Sequence, residues 1–275
     1  MTEKITTMLW AFNEPNIFNK IKILRNSESA IFNLKQKINP PLLPGRDCEV
    51  LEFKLHPAKK GFSTKAGQAR MLHDLASIEL QAMELGLRTL VEFPEENEQF
   101  RKELWDLTLS ESSHLEMCLI EIENLGFKWG DWPANCGLWQ SVSSSDTLLD
   151  RLLIVHRYLE GSGLDAGDTL LRRLAGVDAT AVQKAVKIIN TEEVGHVLFG
   201  SNWYNYYCLQ SGLDPIDDFE IRMNRLRPML PKRVGPISHD LRTRAGFTEK
   251  EITYLENLRL SFLEKNSEYK KSTEL

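Results

Sequence analysis

Apolar residues recur with a helical period through most of the chain beyond residue 63. The pattern predicts long helices at residues 63–93, at 96–125, from 146 and from 178, and a terminal helix at 248–264. Pro94 ends the first helix, and Gly126 is a suitable stop for the second. Each helix carries an apolar stripe that can be buried on one side. The sequence therefore predicts an all-α fold.

The connections between these helices are uneven in length. Residues 127–145, between the second and third helices, form a long linker rich in aromatic and turn residues. A connection that crosses the length of a helix bundle would explain it. Before the first helix, residues 40–46 are proline-rich, and residues 48–55 alternate as in a short strand or an extended arm. We predict an N-terminal extension at 1–62, a helical domain at 63–212 and a C-terminal helical extension at 213–275.

Residues that can bind metals interrupt the apolar stripes. In chain order these are Glu79, Glu111 with His114, Glu160, and Glu193 with His196. Residues three apart on a helix share a face, with about 5 to 6 Å between Cβ atoms. Each Glu-x-x-His pair can therefore give a carboxylate and an imidazole to one interior site. Burying six such groups would be costly without a bound partner.

This donor set predicts two divalent cations. Four carboxylates balance their charge, and oxygen with imidazole donors suits iron or manganese better than structural zinc. Iron is the first expectation, with manganese or a mixed Fe/Mn pair as alternatives. In our hypothesis Glu111 and Glu193 bridge the ions, Glu79 and Glu160 are terminal ligands, and His114 and His196 each bind one ion. Coordination positions would remain for O2 or peroxide.

The spacing of the ligands predicts how the helices are connected. Glu79 and Glu111 are 32 positions apart, and Glu160 and Glu193 are 33 positions apart. Two helical hairpins joined by the long linker would bring these residues to the same level along the axis of the bundle. That topology is the ferritin-like four-helix bundle, with its crossover between the second and third helices.

Some neighbouring residues have more than one interpretation. His156 lies one turn before Glu160 and can be a seventh ligand, a partner of a ligand, or a core histidine. Asp165 can orient a ligand histidine or stabilise a helix that glycines weaken. His73 and Glu84 are out of phase with the ligand stripe, so solvent exposure is expected for both.

Composition narrows the class of protein. A net charge of −5 argues against a protein that mainly grips nucleic acid non-specifically. The basic stretch at residues 222–233 can still bind a phosphate-bearing substrate or RNA, or form a solvated surface. Four scattered cysteines indicate free thiols, and neither a secretory signal nor a membrane-spanning run is evident. We expect a cytoplasmic protein with no membrane partner.

Several stretches resemble a bacterial ferritin-like family catalogued as domain of unknown function 455. They are LHDLASIELQAMELGL, ESSHLEMCLIEIENLGFKWGDWPANCGLW, RLLIVHRYLEGSGLDAG, INTEEVGHVLFGSNWYNYYC and SHDLRTRAGFTEKEI. The resemblance covers residues 72–252 and implies a ferritin-like bundle with the six proposed ligands at the family's ligand positions. The chain departs from the family at Ser77, where a histidine is usual, and at EGSGLD, where EARGLD is usual. Both departures change the surroundings of the site.

The expected function is that of an oxidoreductase with a di-iron or Fe/Mn centre that activates O2 to oxidise or hydroxylate an organic substrate. The substrate would be a small molecule or, by analogy with enzymes of similar architecture, a modified tRNA base. One alternative is iron handling or peroxide detoxification. Another is a non-catalytic helical scaffold whose glutamates form a buried polar network. A homodimer is compatible with the sequence.

Overall fold

The computed structural model describes residues 11–273, with side chains described as far as residue 263. Over this range the chain is predominantly helical and contains no β-strand, so the all-α prediction is confirmed. The first ten residues of the predicted N-terminal extension lie outside the described residues. The predicted domain boundaries and the ferritin-like arrangement of the helices stay predictions. None of the described helices combines the length and apolar character needed to span a membrane.

The helices are α1 (Ile17–Arg25), α2 (Glu28–Phe32), α3 (Lys65–Glu92), α4 (Glu98–Asn124), α5 (Leu148–Leu152), α6 (Gly161–Leu174), α7 (Thr180–Gln210), α8 (Pro215–Leu226), α9 (His239–Arg244) and α10 (Glu249–Thr273). A π-helical segment, Leu153–Glu160, joins α5 to α6. Short 3-10 turns occur at Phe53–Leu55 and Trp139–Ser141. The long predicted helices are present, with ends shifted by only a few residues, except that the terminal helix runs about nine residues further.

Capping side chains explain where several helices begin. Thr64 accepts a hydrogen bond from the first turn of α3, and Asn97 does the same for α4. Thr147 and Asp150 form a reciprocal capping box at the start of α5. At the other end of α4, Gly126 has a φ of 87°, which glycine adopts without strain. The predicted stop of the second helix is confirmed.

The described chain divides into two compact units, and the described part of the first comprises residues 11–144 with 176–185. Within it, α3 and α4 pack against each other along their length. The predicted strand or arm at residues 48–55 is extended in its first part, with a single parallel bridge between Val50 and Ala134, and ends in the 3-10 turn Phe53–Leu55. The Leu51 amide donates to the Ala134 carbonyl over 2.9 Å, and the Ala134 amide donates to the Glu49 carbonyl over 2.8 Å.

The long linker after α4 is held by polar side chains on α3. The imidazole Nε2 of His73 accepts from the Gly130 amide at 3.1 Å. Two turns further along α3, the side-chain oxygen of Gln81 accepts from the amides of Leu138 and Trp139, at 3.0 and 3.2 Å. Three otherwise unpaired backbone donors are therefore satisfied by α3, which fixes the path of the linker inside the first unit.

Two expectations of solvent exposure on α3 were wrong. His73 is fully buried and stacks on Trp129, with ring centroids 4.5 Å apart. Glu84 is 1% exposed, and its carboxylate pairs with Lys20 at 2.6 Å and with Arg46 at 2.5 Å. Both residues bind segments that are distant in sequence, which helical phase cannot reveal.

The second unit comprises residues 145–175 with 186–275 and contains the π-helical segment. The C-terminal extension supports this segment directly. Arg242 donates to the carbonyl of Arg157 at 3.0 Å, and Arg157 pairs with Glu251 at 2.9 Å. The Arg157 guanidinium also lies over the rings of Tyr204, Phe219 and Phe247, at 5.0, 5.0 and 4.5 Å from the centroids. These contacts to the carbonyl and the side chain of Arg157 stabilise the irregular backbone of the π-helical segment.

Candidate metal centre

The first group of predicted ligands lies on α3 and α4, and we call it the hairpin half. Glu79, Glu111 and His114 are between 0 and 3% exposed. The Nδ1 atom of His114 lies 3.5 Å from a carboxylate oxygen of Glu79 and 3.7 Å from one of Glu111. The structure therefore brings these three predicted ligands together in a buried environment, on regular α-helices.

The second group lies on the π-helical segment and α7, and we call it the π half. It contains the predicted ligands Glu160, Glu193 and His196, and His156 lies beside them. Nδ1 of His156 lies 2.8 Å from a carboxylate oxygen of Glu160, and Nδ1 of His196 lies 3.2 Å from one of Glu193. Glu160 and Glu193 are each 9% exposed and His196 is 7% exposed, so this half is buried less completely than the hairpin half.

His156 is placed by a close approach of α7 to the π-helical segment. A Cβ atom added at Gly200 would overlap the Cβ of His156, so only glycine fits there. The imidazole also meets the ring of Phe199 edge-on, with centroids 5.1 Å apart. Its Nε2 atom is buried and has no hydrogen-bond partner among the described residues. A nitrogen in that state suits a metal ligand or a partner of one, and the three interpretations of His156, including that of a core histidine, stay predictions.

Four of the predicted ligands form a group that can hold a metal ion: Glu111, His114, Glu193 and His196. Each offers one ligand atom, and these atoms all lie within 4.8 Å of one another. All four side chains belong to residues that are 9% exposed or less. Both Glu-x-x-His pairs contribute to this group. The prediction of a metal site is therefore confirmed in its coarser form, as a buried group of carboxylates and imidazoles.

The family of the chain follows from comparison with known sequences. Residues 3–253 match the family described as Protein of unknown function (DUF455), which is nearly the whole chain. The chain belongs to this family. The resemblance drawn from the ligand-bearing stretches is thereby confirmed.

Another protein similar to this DUF455 member comes from Haemophilus influenzae and is described as an uncharacterized protein. The two are 31% identical over 205 residues, which cover 72% of this chain and 70% of the relative. No solved structure matches the DUF455 member significantly. The comparisons thus establish the family, whereas the chemistry depends on the residues of the site itself.

The remaining predicted residue of the site, Asp165, contacts the C-terminal extension. Its carboxylate accepts from the Ser238 amide at 2.9 Å, from Arg242 at 2.8 Å and from Arg259 at 2.6 Å. Asp165 is 4% exposed, and its buried carboxylate binds residues 238–259 through these hydrogen bonds. Its alternative role of orienting a ligand histidine stays a prediction.

The basic stretch at residues 222–233 does not behave as one surface. Arg222 pairs with Asp150 at 2.5 Å and with Asp218 at 2.8 Å, and Arg225 pairs with Asp150. Burial alone would raise the pKa of both carboxyl groups, but the hydrogen bonds and charge of Arg222 hold the pKa of each below its ordinary value. The end of the stretch, Lys232 and Arg233, lines a pocket.

Proposed function

We propose that this DUF455 member is a non-haem di-iron or Fe/Mn protein, an oxidase or hydroxylase of an organic substrate. The observation that carries the proposal is the group formed by Glu111, His114, Glu193 and His196. Carboxylate oxygens and imidazole nitrogens are the donors that iron and manganese accept in helical carboxylate proteins. When bound, such a pair of ions supplies redox chemistry and open positions at which O2 reacts.

The proposed division of roles follows from the chain's own residues. Glu111 and Glu193 would bridge, because each carboxylate has an imidazole three positions further along its helix. His114 and His196 would then bind one ion each. Glu79, close to His114, and Glu160, on the π-helical segment, complete the set as terminal ligands. Four carboxylates balance two divalent ions, which makes their burial tolerable.

The backbone around Glu160 supports a catalytic over a purely structural role. A π-helical segment widens the helix and is uncommon except at functional sites. Here it spans eight residues and ends at Glu160. Together with the 9% exposure of Glu160, this favours a site that organic substrates and O2 can reach.

Metal binding is the first test. Metal-free full-length protein titrated with Fe(II) under anaerobic conditions should bind about two ions per chain, as the ligand set of carboxylate-bridged bundles predicts. Glu111→Gln should reduce Fe(II) affinity by more than the roughly 10- to 100-fold that loss of an outer-shell partner costs. Glu123→Gln is the matched control, because Glu123 is exposed on the same helix. Equal Fe(II) binding by the wild type and Glu111→Gln would refute the ligand assignment.

The second test concerns the reaction. The Fe(II)-loaded wild type, given a chemical reductant and O2, should alter specific compounds in a small-molecule or tRNA extract, and Glu111→Gln should not. Mass spectrometry of the two extracts provides the measurement. Many iron ions per chain without any altered organic compound would favour iron handling instead. If Glu111→Gln kept the metal content of the wild type but changed the free energy of unfolding, a non-catalytic scaffold would be favoured.

A further inference from the structure

A pocket of about 380 Å³ lies wholly within the second unit and apart from the predicted ligands. One wall is formed by α6, from Ser162 to Arg173. The irregular segment Lys232–Pro236 and Arg259 of α10 form the rest. The volume is in the range of sites that bind small molecules, roughly 300 to 1,000 Å³.

The lining of this pocket is strongly cationic. Four basic side chains face a single carboxylate: Arg173, Lys232, Arg233 and Arg259 against Asp165. That carboxylate is already occupied, because it accepts from Arg259 at 2.6 Å and from Arg242 at 2.8 Å. Among the described lining residues no second carboxylate is left for Lys232 and Arg233, so solvent or an anion from outside the chain would balance their charge.

Arg233 is the informative member of the lining. Its Nε atom is buried without a hydrogen-bond partner, and within the described side chains Arg233 forms no ion pair. Burial lowers the pKa of Arg233; Tyr158 acts against this, and the nearby Arg259 lowers the pKa further. A guanidinium placed beside another cation without a carboxylate is unfavourable in a fold that lacks a ligand. Its planar set of donors matches the oxygens of a phosphate group.

We infer that this pocket binds the phosphate group of a small molecule, with Arg233 as the principal ligand-binding residue. Lys232, which also lies 5.9 Å from the centroid of the Phe262 ring, would add a point charge at the rim. Arg259 would contribute its charge while it remains bonded to the carbonyls of Gly235 and Pro236, at 2.6 and 3.0 Å. Those bonds hold the segment that presents Arg233.

Phosphate binding in this pocket does not require a metal centre, so it can be tested on metal-free full-length protein. Isothermal titration at constant ionic strength would use inorganic phosphate and methyl phosphate as probes and acetate as the comparison anion. Phosphate and methyl phosphate should bind more tightly than acetate. Binding of methyl phosphate at least as tight as that of inorganic phosphate would identify a phosphate monoester as the source.

Substitution assigns the effect to the pocket. Arg233→Gln should weaken phosphate binding by about tenfold or more, since hydrogen bonds to charged groups are the strong ones. Arg227→Gln removes the same charge from an exposed position nearby and should bind phosphate as the wild type does. Lys232→Gln, at an exposed site where folding is not at risk, should give a smaller loss than Arg233→Gln.

The melting temperature separates ligand binding from a structural role. Without phosphate, Arg233→Gln should melt at or above the temperature of the wild type, and phosphate should raise the melting temperature of the wild type only. Equal phosphate affinity in wild type and Arg233→Gln would overturn the inference. So would equal binding of acetate and phosphate, or a variant that melts far below the wild type before any anion is added.

Discussion

The hairpin half and the π half of the candidate centre are built differently. Glu79, Glu111 and His114 sit on regular helices and are at most 3% exposed. In the π half, Glu160 follows an irregular turn register, and Glu160 and Glu193 reach 9% exposure. One half is built on regular helices and is almost completely buried, and the other includes irregular helix and is slightly more exposed. If the centre reacts with a substrate, we expect the substrate to approach from the π half. Any movement of a metal ligand is also expected there.

The two halves also differ in where their support comes from. The hairpin half is braced by the α3–α4 packing and by the linker that His73 and Gln81 bind. The π half depends on residues much later in the chain, since Arg242 reaches the Arg157 carbonyl 85 positions away. The C-terminal extension is therefore part of the machinery that positions Glu160. This difference predicts that the halves respond to different substitutions.

Substitution of Asp165 should give the largest effect. Asp165→Asn removes the charge that pairs with the buried Arg242 and with Arg259. Breaking a buried ion pair from one side typically costs about 3 to 5 kcal/mol of unfolding free energy. Hydrogen exchange should rise in the π-helical segment and in α9 and α10, and rise less in α3 and α4.

Asp168→Asn is the matched control for Asp165→Asn. Asp168 lies one turn further along α6, and its pairing with Arg172 is solvent-exposed. Its loss should change the unfolding free energy by only about 0.2 to 1 kcal/mol. A uniform rise in exchange across α3, α4 and the π-helical segment would show that the two halves do not differ in support.

A smaller but more local effect is expected at Gly200. In Gly200→Ala the new methyl group overlaps the Cβ of His156, so α7 or the π-helical segment must shift. Overpacking of this kind costs about 1 to 3 kcal/mol. Fe(II) affinity should fall with it, because the shift displaces the segment that carries Glu160.

Gly195→Ala provides the comparison within the same helix. A Cβ at Gly195 meets no atom within 4 Å, so the substitution should stabilise α7 by about 1 kcal/mol through helix propensity alone. If Gly200→Ala were as stable as Gly195→Ala and bound Fe(II) like the wild type, the close approach at His156 would not control the π half.

The same contrast explains what sequence could and could not predict. Helix bounds and the Glu-x-x-His pairs follow from a regular period, so the amino-acid pattern alone places Glu111, His114, Glu193 and His196 on buried stripes. The π-helical segment interrupts that period, and no local residue type indicates it. Arg242 from the C-terminal extension bonds to this segment, and a contact between segments so far apart in sequence is not visible in a local period.

The errors on α3 have a related cause. Helical phase marks a charged residue as exposed when it lies off the apolar stripe, yet Glu84 is buried by Lys20 and Arg46, 64 and 38 positions away. His73 is buried against the linker through Gly130, 57 positions away. Such partners come from tertiary contacts, which a single sequence does not display without knowledge of the fold.

His73 makes the hairpin half testable by pH, with a smaller effect than that of Asp165→Asn. Burial and the charge of Arg70 lower the pKa of His73 to about 4, although Asp74 and Asp131 act against this. The unfolded chain, with a histidine pKa near 6.5, binds the proton more readily. The stability that His73 contributes is therefore complete above about pH 6.5 and is lost as pH falls toward 4. Between about pH 7 and about pH 5 the unfolding free energy should fall by about 2 kcal/mol on this account.

Urea unfolding of metal-free wild type and His73→Phe isolates this effect, because contributions from other groups cancel in the difference. The phenyl ring can keep the stacking on Trp129 but cannot be protonated. The stability advantage of the wild type over His73→Phe should therefore shrink as pH falls from about 7 to about 5. A difference that stays constant with pH would mean that His73 is protonated as easily in the folded protein as in the unfolded one. The linker would then not seal the hairpin half, and the contrast in burial between the two halves would lose its basis.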